Sequence, residues 1–238
     1  MKLLIVAATE FEIAPFISTK IAADILITGV GSPACIYELT KRLQHIKYDF
    51  VIQAGIAGTF KNSFPLAQTF FIKTDVFADL GIYEMERFFT LFEKNFLDPN
   101  SVPYKHGLLE NNVDNTFKIA TANSITVNTV TDNFLQTNMF TQKYDPDLES
   151  MEGAAFHYVC IQENVPFLQL RSVSNFVGER VKTNWKMKES IENLNHHLSR
   201  IVLELATHNS SLIFLCTNKQ YNLVFHLALM IPLYLMHW

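Results

Sequence analysis

Short apolar runs alternate with helical stretches along most of the chain. The clearest runs are short enough for buried strands and end in glycine or polar residues: 3–8, 24–28, 50–54 and 167–173. Weaker strand candidates are 69–73, 117–122 and 125–130. The spacing of apolar residues predicts helices over 33–46, 151–163 and 191–205. Because strand, glycine turn and helix recur, the pattern predicts βαβ units and a largely parallel sheet.

The stretch 148–175 has the most informative pattern. Met151, Ala155 and Val159 fall on one face of a predicted helix, and Pro166 lies just after the end of that helix. The apolar run 167–173 then predicts a buried strand.

The ends of this helix and strand bring polar residues close in the predicted fold. Glu149 and Glu152 are predicted at the helix N-terminus, where the helix dipole favours an ionised carboxylate. Ser174 and Asn175 follow the strand, at the edge where open α/β sheets bind ligands. We therefore expect polar groups from both ends in one crevice. The alternative is that Glu149 and Glu152 only cap the helix.

Two parts of the chain lack a clear period. Residues 83–115 mix charged, aromatic, Asn and Pro residues, which predicts long loops. Residues 210–238 form a hydrophobic tail without Lys, Arg, Asp or Glu after Lys219. A membrane helix needs about 20 apolar residues, and Asn222, His226 and Pro232 interrupt this run. We favour a packed or loosely attached appendage over a membrane span and assign the tail no function.

Charge and cysteine content exclude several classes of protein. The 238 residues carry a formal net charge of −4 and no basic run, which argues against nucleic acid as a partner. The scattered Cys35, Cys160 and Cys216 predict core thiols in a reducing compartment. The first apolar run is short and is followed by Glu10 and Glu12, unlike a secretory signal. We therefore expect a cytoplasmic protein.

The segment Gly29-Val-Gly-Ser-Pro-Ala34 matches the dinucleotide-binding pattern but not its context. It follows the second predicted strand instead of the first. Asp49, about twenty residues on, opens the next strand and so lies at the wrong end of the sheet to reach a ribose. A nicotinamide cofactor is not expected. The histidines show no ligand spacing, so a metal site is not expected either.

Four segments carry a resemblance to a known family. They are residues 1–12, Gly55-Ile-Ala-Gly58, Glu149-Ser-Met-Glu152 and Arg171-Ser-Val-Ser-Asn175. Together they resemble the nucleoside phosphorylase and nucleosidase superfamily, over residues 1–207. Three further segments, 77–81, 126–131 and 150–157, are most similar to its futalosine hydrolases. Those enzymes are relatives of the methylthioadenosine/S-adenosylhomocysteine nucleosidases.

The resemblance implies a fold and a reaction. The fold is a three-layer α/β/α arrangement around a central mixed, largely parallel sheet, formed by a nucleosidase domain over 1–209. The reaction is cleavage of a purine N-glycosidic bond by water. With futalosine as substrate it releases hypoxanthine and dehypoxanthine futalosine for menaquinone biosynthesis. No metal or organic cofactor is implied. A homodimer is implied, and residues 77–81 could contribute to the paired face.

The resemblance also implies roles for single residues. Glu12 matches the carboxylate that activates water, and Arg171 matches a residue near that water that could also hold Glu12. Glu152 matches the carboxylate that binds the ribose hydroxyls. Met151 matches an apolar contact under the sugar. Trp185 matches an aromatic that closes over the base, with a surface-loop anchor as the equal alternative. The other matched residues line the pocket: Ile56, Ala57, Gly58, Ile125, Thr126 and Ser174.

Position 175 bears on the choice of base. Adenosine-cleaving relatives have an Asp here, whereas this chain has Asn175. An amide can donate its NH₂ to a 6-oxo group and accept from N7–H, which matches hypoxanthine and mismatches adenine. Losing one complementary buried hydrogen bond costs about 1–3 kcal/mol. Having Asn instead of Asp at this position also removes the side chain that could protonate the leaving base.

Charge also bears on the choice between water and phosphate. A phosphorylase holds a phosphate dianion, usually with Arg, but the first arginine of this chain is Arg42, on a predicted helix. Glu12 would also repel phosphate, so water is the preferred nucleophile. Two alternatives remain: a methylthioadenosine/S-adenosylhomocysteine nucleosidase, and a non-catalytic nucleoside-binding module.

Overall fold

A computed structural model describes residues 1–207 of the chain. Its first half contains β1 (Leu3–Ala7), α1 (Glu10–Ser18), β2 (Asp24–Ile27), α2 (Ser32–His45), β3 (Phe50–Thr59), β4 (Thr69–Asp75), β5 (Gly81–Glu84), β6 (Arg87–Thr90) and β7 (Leu109–Glu110). Its second half contains β8 (Thr121–Thr126), α3 (Phe134–Tyr144), β9 (Leu148–Ser150), α4 (Gly153–Gln162), β10 (Phe167–Phe176), a 3₁₀ turn (Lys182–Asn184) and α5 (Met187–Thr207).

Within this part of the chain, eight strands form one mixed sheet. Its order is β10-β4-β8-β9-β3-β1-β2, with β7 paired to β4. β10 also pairs with β3, so five strands close into a ring from which β1 and β2 extend. Most pairings are parallel; β10–β4, β3–β9 and β4–β7 are antiparallel.

Helices cover both faces of the sheet. On one face, Leu194, Leu198 and Ile201 of α5 pack with α1 against buried strand residues such as Ile52 and Leu168. On the other face, α2 and α4 pack against β1 and the start of β3, through residues that include Cys35, Leu39 and Val159. Burial of these apolar stripes drives the packing of helices on sheet. The predicted three-layer fold is confirmed.

The structure corrects several predicted boundaries. β3 continues through Gly55-Ile-Ala-Gly58 instead of turning there, because β10 and β9 pair with it on both sides. The short strand β9 and not a helix contains Glu149, and α4 begins only after Glu152. α2 begins at Ser32 and not at residue 33. Ser174 and Asn175 belong to the end of β10 itself.

Other differences concern the middle and the end of the chain. Residues 83–115 include a hairpin, β5–β6, and the strand β7 instead of loops alone. The predicted strand at 117–122 is shifted to β8, and α3 was not predicted. Cys35 and Cys160 are buried free thiols, as expected. The domain boundary at 209/210, the tail 210–238 and Cys216 lie outside the described residues. In residues 1–207 the structure contains no helix long and apolar enough to cross a membrane.

Gly153, the first residue of α4, gives a test of this packing. A Cβ there would lie 2.2 Å from Oδ2 of Asp75 and 2.3 Å from Nε2 of Gln169, both fully buried. An exposed helical Gly→Ala change stabilises by about 1 kcal/mol, but here overpacking dominates. We expect Gly153→Ala to lower the free energy of unfolding by about 1–3 kcal/mol, measured by urea denaturation. An unchanged or higher stability would contradict this packing.

Candidate active site

The second half of β3 brings most of the predicted site residues together. β10 lies along one side of it, with Arg171 opposite Gly55 and Asn175 opposite Gly58. β9 lies along the other side and places Glu149 opposite Gly58. Residues that are far apart in sequence therefore meet along Gly55-Ile-Ala-Gly58.

Glu12 reaches β3 from the first turn of α1. Its Oε1 accepts a hydrogen bond from the backbone N–H of Ile56 at 3.1 Å. Its Oε2 accepts from the backbone N–H of Thr9 at 3.1 Å and from the Thr9 hydroxyl at 3.0 Å. The side chain is buried, and these donors fix its position at the N-terminus of the helix.

Asn195 of α5 also fixes this turn of α1, and the sequence analysis missed it. Its Nδ2 donates to the carbonyl of Glu12 at 2.8 Å, and its Oδ1 accepts from the N–H of Phe16 at 3.0 Å. The amide thus bridges two backbone groups four residues apart. No local pattern in α5 indicates this role, since the contact depends on how α5 packs.

Arg171 and Glu152 form a buried pair next to Glu12. The guanidinium of Arg171 donates to Oε1 of Gln53 at 2.9 Å and lies 3.8 Å from Oε2 of Glu152. Oε1 of Glu152 accepts from the N–H of Gly31 at 2.9 Å. Among the described ion pairs, the carboxylate beside Arg171 is Glu152 and not Glu12.

Gly55 provides the space that these charged groups share. A Cβ at this position would lie 2.1 Å from Nη1 of Arg171 and 3.0 Å from Oε1 of Glu12. A larger residue would displace both groups. The glycine that suggested a turn from sequence is needed for close approach inside an extended strand.

Burial raises the pKa values of both carboxyl groups that were predicted to be ionised by a helix dipole. For Glu152, burial raises the pKa, Arg171 and the Gly31 N–H oppose the rise, and nearby Glu12 adds to it. For Glu149, burial and Asp79 raise the pKa to about 7, against the effect of Arg180. The predicted dipole effect on Glu149 is wrong, since Glu149 lies in a strand.

Asn175 lies at a bulge near the end of β10. The pairing with β3 shifts between Val173 and Asn175, and the extra residue, Ser174, donates its hydroxyl to the carbonyl of Ala57 at 3.2 Å. The Ser174 hydroxyl also lies 2.7 Å from Oδ1 of Asn175. Nδ2 of Asn175 donates to the carbonyl of Phe176 at 2.8 Å, which leaves its second N–H available.

Comparison with known proteins identifies the family of this fold. Residues 17–207 match the family model described as the phosphorylase superfamily. The chain belongs to the phosphorylase superfamily.

Individual members of the superfamily confirm the resemblance noted in the sequence. The chain is 25% identical to the futalosine hydrolase of Thermus thermophilus, over 75% of this chain and 80% of the relative. It is 29% identical to that of Acidothermus cellulolyticus, over 73% and 72% of the two chains. The native structure of futalosine hydrolase of Helicobacter pylori strain 26695 has a TM-score of 0.71 and 15% identity, over 86% of this chain and 98% of that one.

Several residues matched to the superfamily have side chains engaged elsewhere. The hydroxyl of Thr126 donates to Oδ1 of Asp75 at 2.8 Å and accepts from the N–H of Ala154 at 2.7 Å. It therefore belongs to a buried network and not to an open pocket. The indole N–H of Trp185 donates to the carbonyl of Glu179 at 3.1 Å, the geometry of a loop anchor. Met151 is half-buried, and its carbonyl accepts from the hydroxyl of Ser32.

The network around Thr126 continues beneath α4. Asp75, which the sequence analysis did not select, also lies 3.3 Å from Nε2 of Gln169. Burial raises the pKa of Asp75 to about 6 and lowers that of the neighbouring His157 to about 4. These groups support the start of α4, where Glu152 is held.

Two cavities lie around the segment 77–80. One of about 330 Å³ lies between Ile125 and the segment 90–108. The other, of about 890 Å³, lies between α2 and the segment 77–80. Phe77, Leu80 and Tyr104 line both, whereas Glu12, Arg171 and Asn175 line neither. In residues 1–207, no three His, Cys, Asp or Glu side chains are grouped as a metal ion requires.

The pairing of Arg171 with Glu152 predicts a pH-dependent loss of stability in Arg171→Gln. Without the guanidinium, the folded-state pKa of Glu152 rises further above its unfolded value. Stability is then lost as pH rises through that higher range. We expect the free energy of unfolding of Arg171→Gln to be about 3–5 kcal/mol below that of the parent at pH 8. At pH 5 the difference should be clearly smaller. Urea denaturation at both pH values measures it. In Arg171→Gln/Glu152→Gln the difference between the two pH values should largely disappear. An equal deficit at both pH values in the single variant would contradict the pairing.

Proposed function

We propose that the chain hydrolyses the N-glycosidic bond of futalosine and releases hypoxanthine and dehypoxanthine futalosine, a step of menaquinone biosynthesis. The supporting observation is the meeting of Glu12, the Arg171–Glu152 pair and Asn175 along Gly55-Ile-Ala-Gly58. The relatives named futalosine hydrolase support the same class of enzyme, a purine nucleoside N-glycosidase.

In the proposed reaction Glu12 activates the attacking water. Breaking the bond to the base makes the ribose oxocarbenium-like, as in glycoside hydrolysis. A general base must orient and deprotonate a water on the face of the ribose opposite the purine. The Glu12 carboxylate is positioned by three donors and keeps lone pairs for a water on its oxygens.

Glu152 has the role of binding the ribose hydroxyls and favouring the positive charge that develops on the sugar. Its own position depends on Arg171 and on the Gly31 N–H, which offset the cost of burying the carboxylate. Arg171 therefore acts on the ribose through Glu152, while its Nη1 borders the space beside Glu12.

Asn175 is the residue proposed to select a 6-oxopurine. Its free N–H can donate to the 6-oxo oxygen, and its Oδ1 can turn from Ser174 to accept from N7–H. An adenine would place its amino group against the amide N–H, with no hydrogen bond gained. Pocket walls from Ile56, Ala57, Gly58, Ile125 and Ser174 remain part of the proposal, whereas Trp185 is taken as a loop anchor and not as a lid.

Water is the proposed nucleophile because the site is acidic where phosphate would bind. Glu12 approaches Gly55 beside the guanidinium of Arg171. Among the described ion pairs, that guanidinium is already paired with Glu152. A phosphate dianion would meet two carboxylates in a buried space.

The same-class alternative is a methylthioadenosine/S-adenosylhomocysteine nucleosidase. A Geobacillus kaustophilus protein of that name is 26% identical over 78% of this chain. Faster release of adenine than of hypoxanthine would favour it. Ligand binding without turnover of any nucleoside would instead favour a non-catalytic binding module. The homodimer stays a prediction, and the larger cavity beside α2 and 77–80 is where we expect the paired face.

The role of Glu12 predicts that Glu12→Gln abolishes turnover of futalosine while leaving substrate binding within a few-fold. The amide keeps the size of the side chain but cannot take a proton from water. Hypoxanthine release measures turnover, and isothermal titration measures binding. The matched control is Glu10→Gln, an exposed acid on the same helix, which should keep full activity. Retained turnover in Glu12→Gln would remove Glu12 as the base.

The role of Asn175 predicts a change of base preference in Asn175→Asp. We incubate both proteins with futalosine, inosine and methylthioadenosine in parallel and identify the liberated base. The parent should release hypoxanthine faster than adenine. The variant should shift the ratio towards adenine by roughly tenfold to hundredfold, the equivalent of about 1–3 kcal/mol. An unchanged ratio would show that another residue selects the base.

A further inference from the structure

Glu149 lies in a row of residues that crosses four neighbouring strands. β9 fits between β3 and β8, and Glu149 is opposite Gly58 of β3 and Ile125 of β8. On the far side of β3, Gly58 is opposite Asn175 of β10. Glu149 and Asn175 are thus separated by one residue, and that residue is a glycine.

The row places the two polar side chains on one face of the sheet, on either side of Gly58. Residues opposite one another in paired strands point to the same face of a sheet. Nδ2 of Asn175 lies 3.4 Å from where a Cβ of Gly58 would be, so Asn175 projects over the glycine. The backbones of Glu149 and Asn175 are two strand spacings apart, about 10 Å. At that spacing the two side chains can reach the same small ligand.

The carboxyl group of Glu149 has no hydrogen-bond partner among residues 1–207, although the residue is only 6% exposed. Glu12 and Glu152, by contrast, each accept backbone N–H groups. Buried polar side chains are nearly always hydrogen-bonded. A free carboxyl group beside the proposed base pocket therefore points to a ligand as its partner.

The surroundings of Glu149 raise its pKa to near neutral pH. Burial is the main cause of its raised pKa, about 7, and Asp79 on the loop after β4 acts in the same direction. Arg180 on the loop after β10 acts against them. The residues opposite it on β3 and β8, Gly58 and Ile125, carry no charge.

We propose that Glu149 is the general acid that protonates the departing purine. This rests on the proposed function and supplies the acid that Asn175, an amide, cannot. As the bond from the sugar to the base nitrogen breaks, its electron pair stays on the base. The O–H proton of Glu149 moves to N7 of the purine, where Asn175 can accept a hydrogen bond from the new N7–H. The water oxygen bonds to the anomeric carbon, and Glu12 takes a proton from that water. The base leaves neutral, and the two carboxyl groups return to their starting states by proton exchange with solvent.

The three carboxyl groups then have separate roles that follow from their partners. Glu152 is paired with Arg171, and Glu12 is anchored by backbone donors beside the proposed water position. Of these three buried carboxyl groups, only that of Glu149 has no hydrogen-bond partner among residues 1–207.

The test compares Glu149→Gln with the parent on two substrates. On futalosine, kcat should fall about 10²- to 10⁴-fold, the usual contribution of a general acid. On futalosine methylated at N7, the base leaves as a neutral molecule without a proton from the enzyme. On this methylated substrate the kcat values of the two proteins should differ by less than about tenfold. Glu110→Gln, a partly buried acid of β7 that pairs with Lys105, is the matched control and should keep full activity on both.

The dependence of kcat on pH provides a second readout that a structural role would not change. In the parent, kcat should fall as pH rises above about 7, because the acid loses its proton. Glu149→Gln should lack this fall between pH 6 and 9. Equal losses on both substrates, or the same fall in the variant, would overturn the role of Glu149. If the parent does not turn over the methylated substrate, the pH dependence decides. A parent inactive on every nucleoside would instead refute the proposed function itself.

Discussion

The buried charge of Arg171 constrains the residues around it. A guanidinium enclosed in a protein needs hydrogen-bond acceptors and a counter-charge, since an isolated buried ion costs several kcal/mol. Gln53 supplies an acceptor and Glu152 the counter-charge. Gly55 supplies the volume, because any Cβ there would overlap the guanidinium. The extended path of β3, the start of α4 and the position of Glu12 are all compatible with this one charge.

The main elements could be predicted because they follow from apolar periodicity, whereas the three layers were implied by the family resemblance. The strands β1, β2 and β10 and the helices α2 and α5 have buried faces that appear directly in the sequence. The path of β3 could not be predicted this way. Its glycines look like a turn in isolation, and only pairing with β9 and β10 keeps them extended.

The candidate site was predictable in its residues but less so in its geometry. Motif resemblance selected Glu12, Glu152, Arg171 and Asn175, which the structure brings to one half-strand. It could not indicate that Arg171 pairs with Glu152 instead of Glu12, or that Asn195 holds α1. Such contacts depend on differences of a few tenths of an ångström in how elements far apart in sequence are placed. Glu149 was expected near the crevice for the wrong reason. It was assigned to the first turn of α4, because the three residues of β9 directly precede that helix.

The contact of Asn195 with α1 has a consequence for how the enzyme matures during synthesis. α1 is made before α5, but the amide that bridges the α1 backbone belongs to α5. β10, which closes the strand ring against β3, is also made late. Contacts between such distant segments form slowly, and the chain leaves the ribosome from its N-terminus. A nascent chain therefore cannot hold α1 and Glu12 in their native positions until α5 has been made.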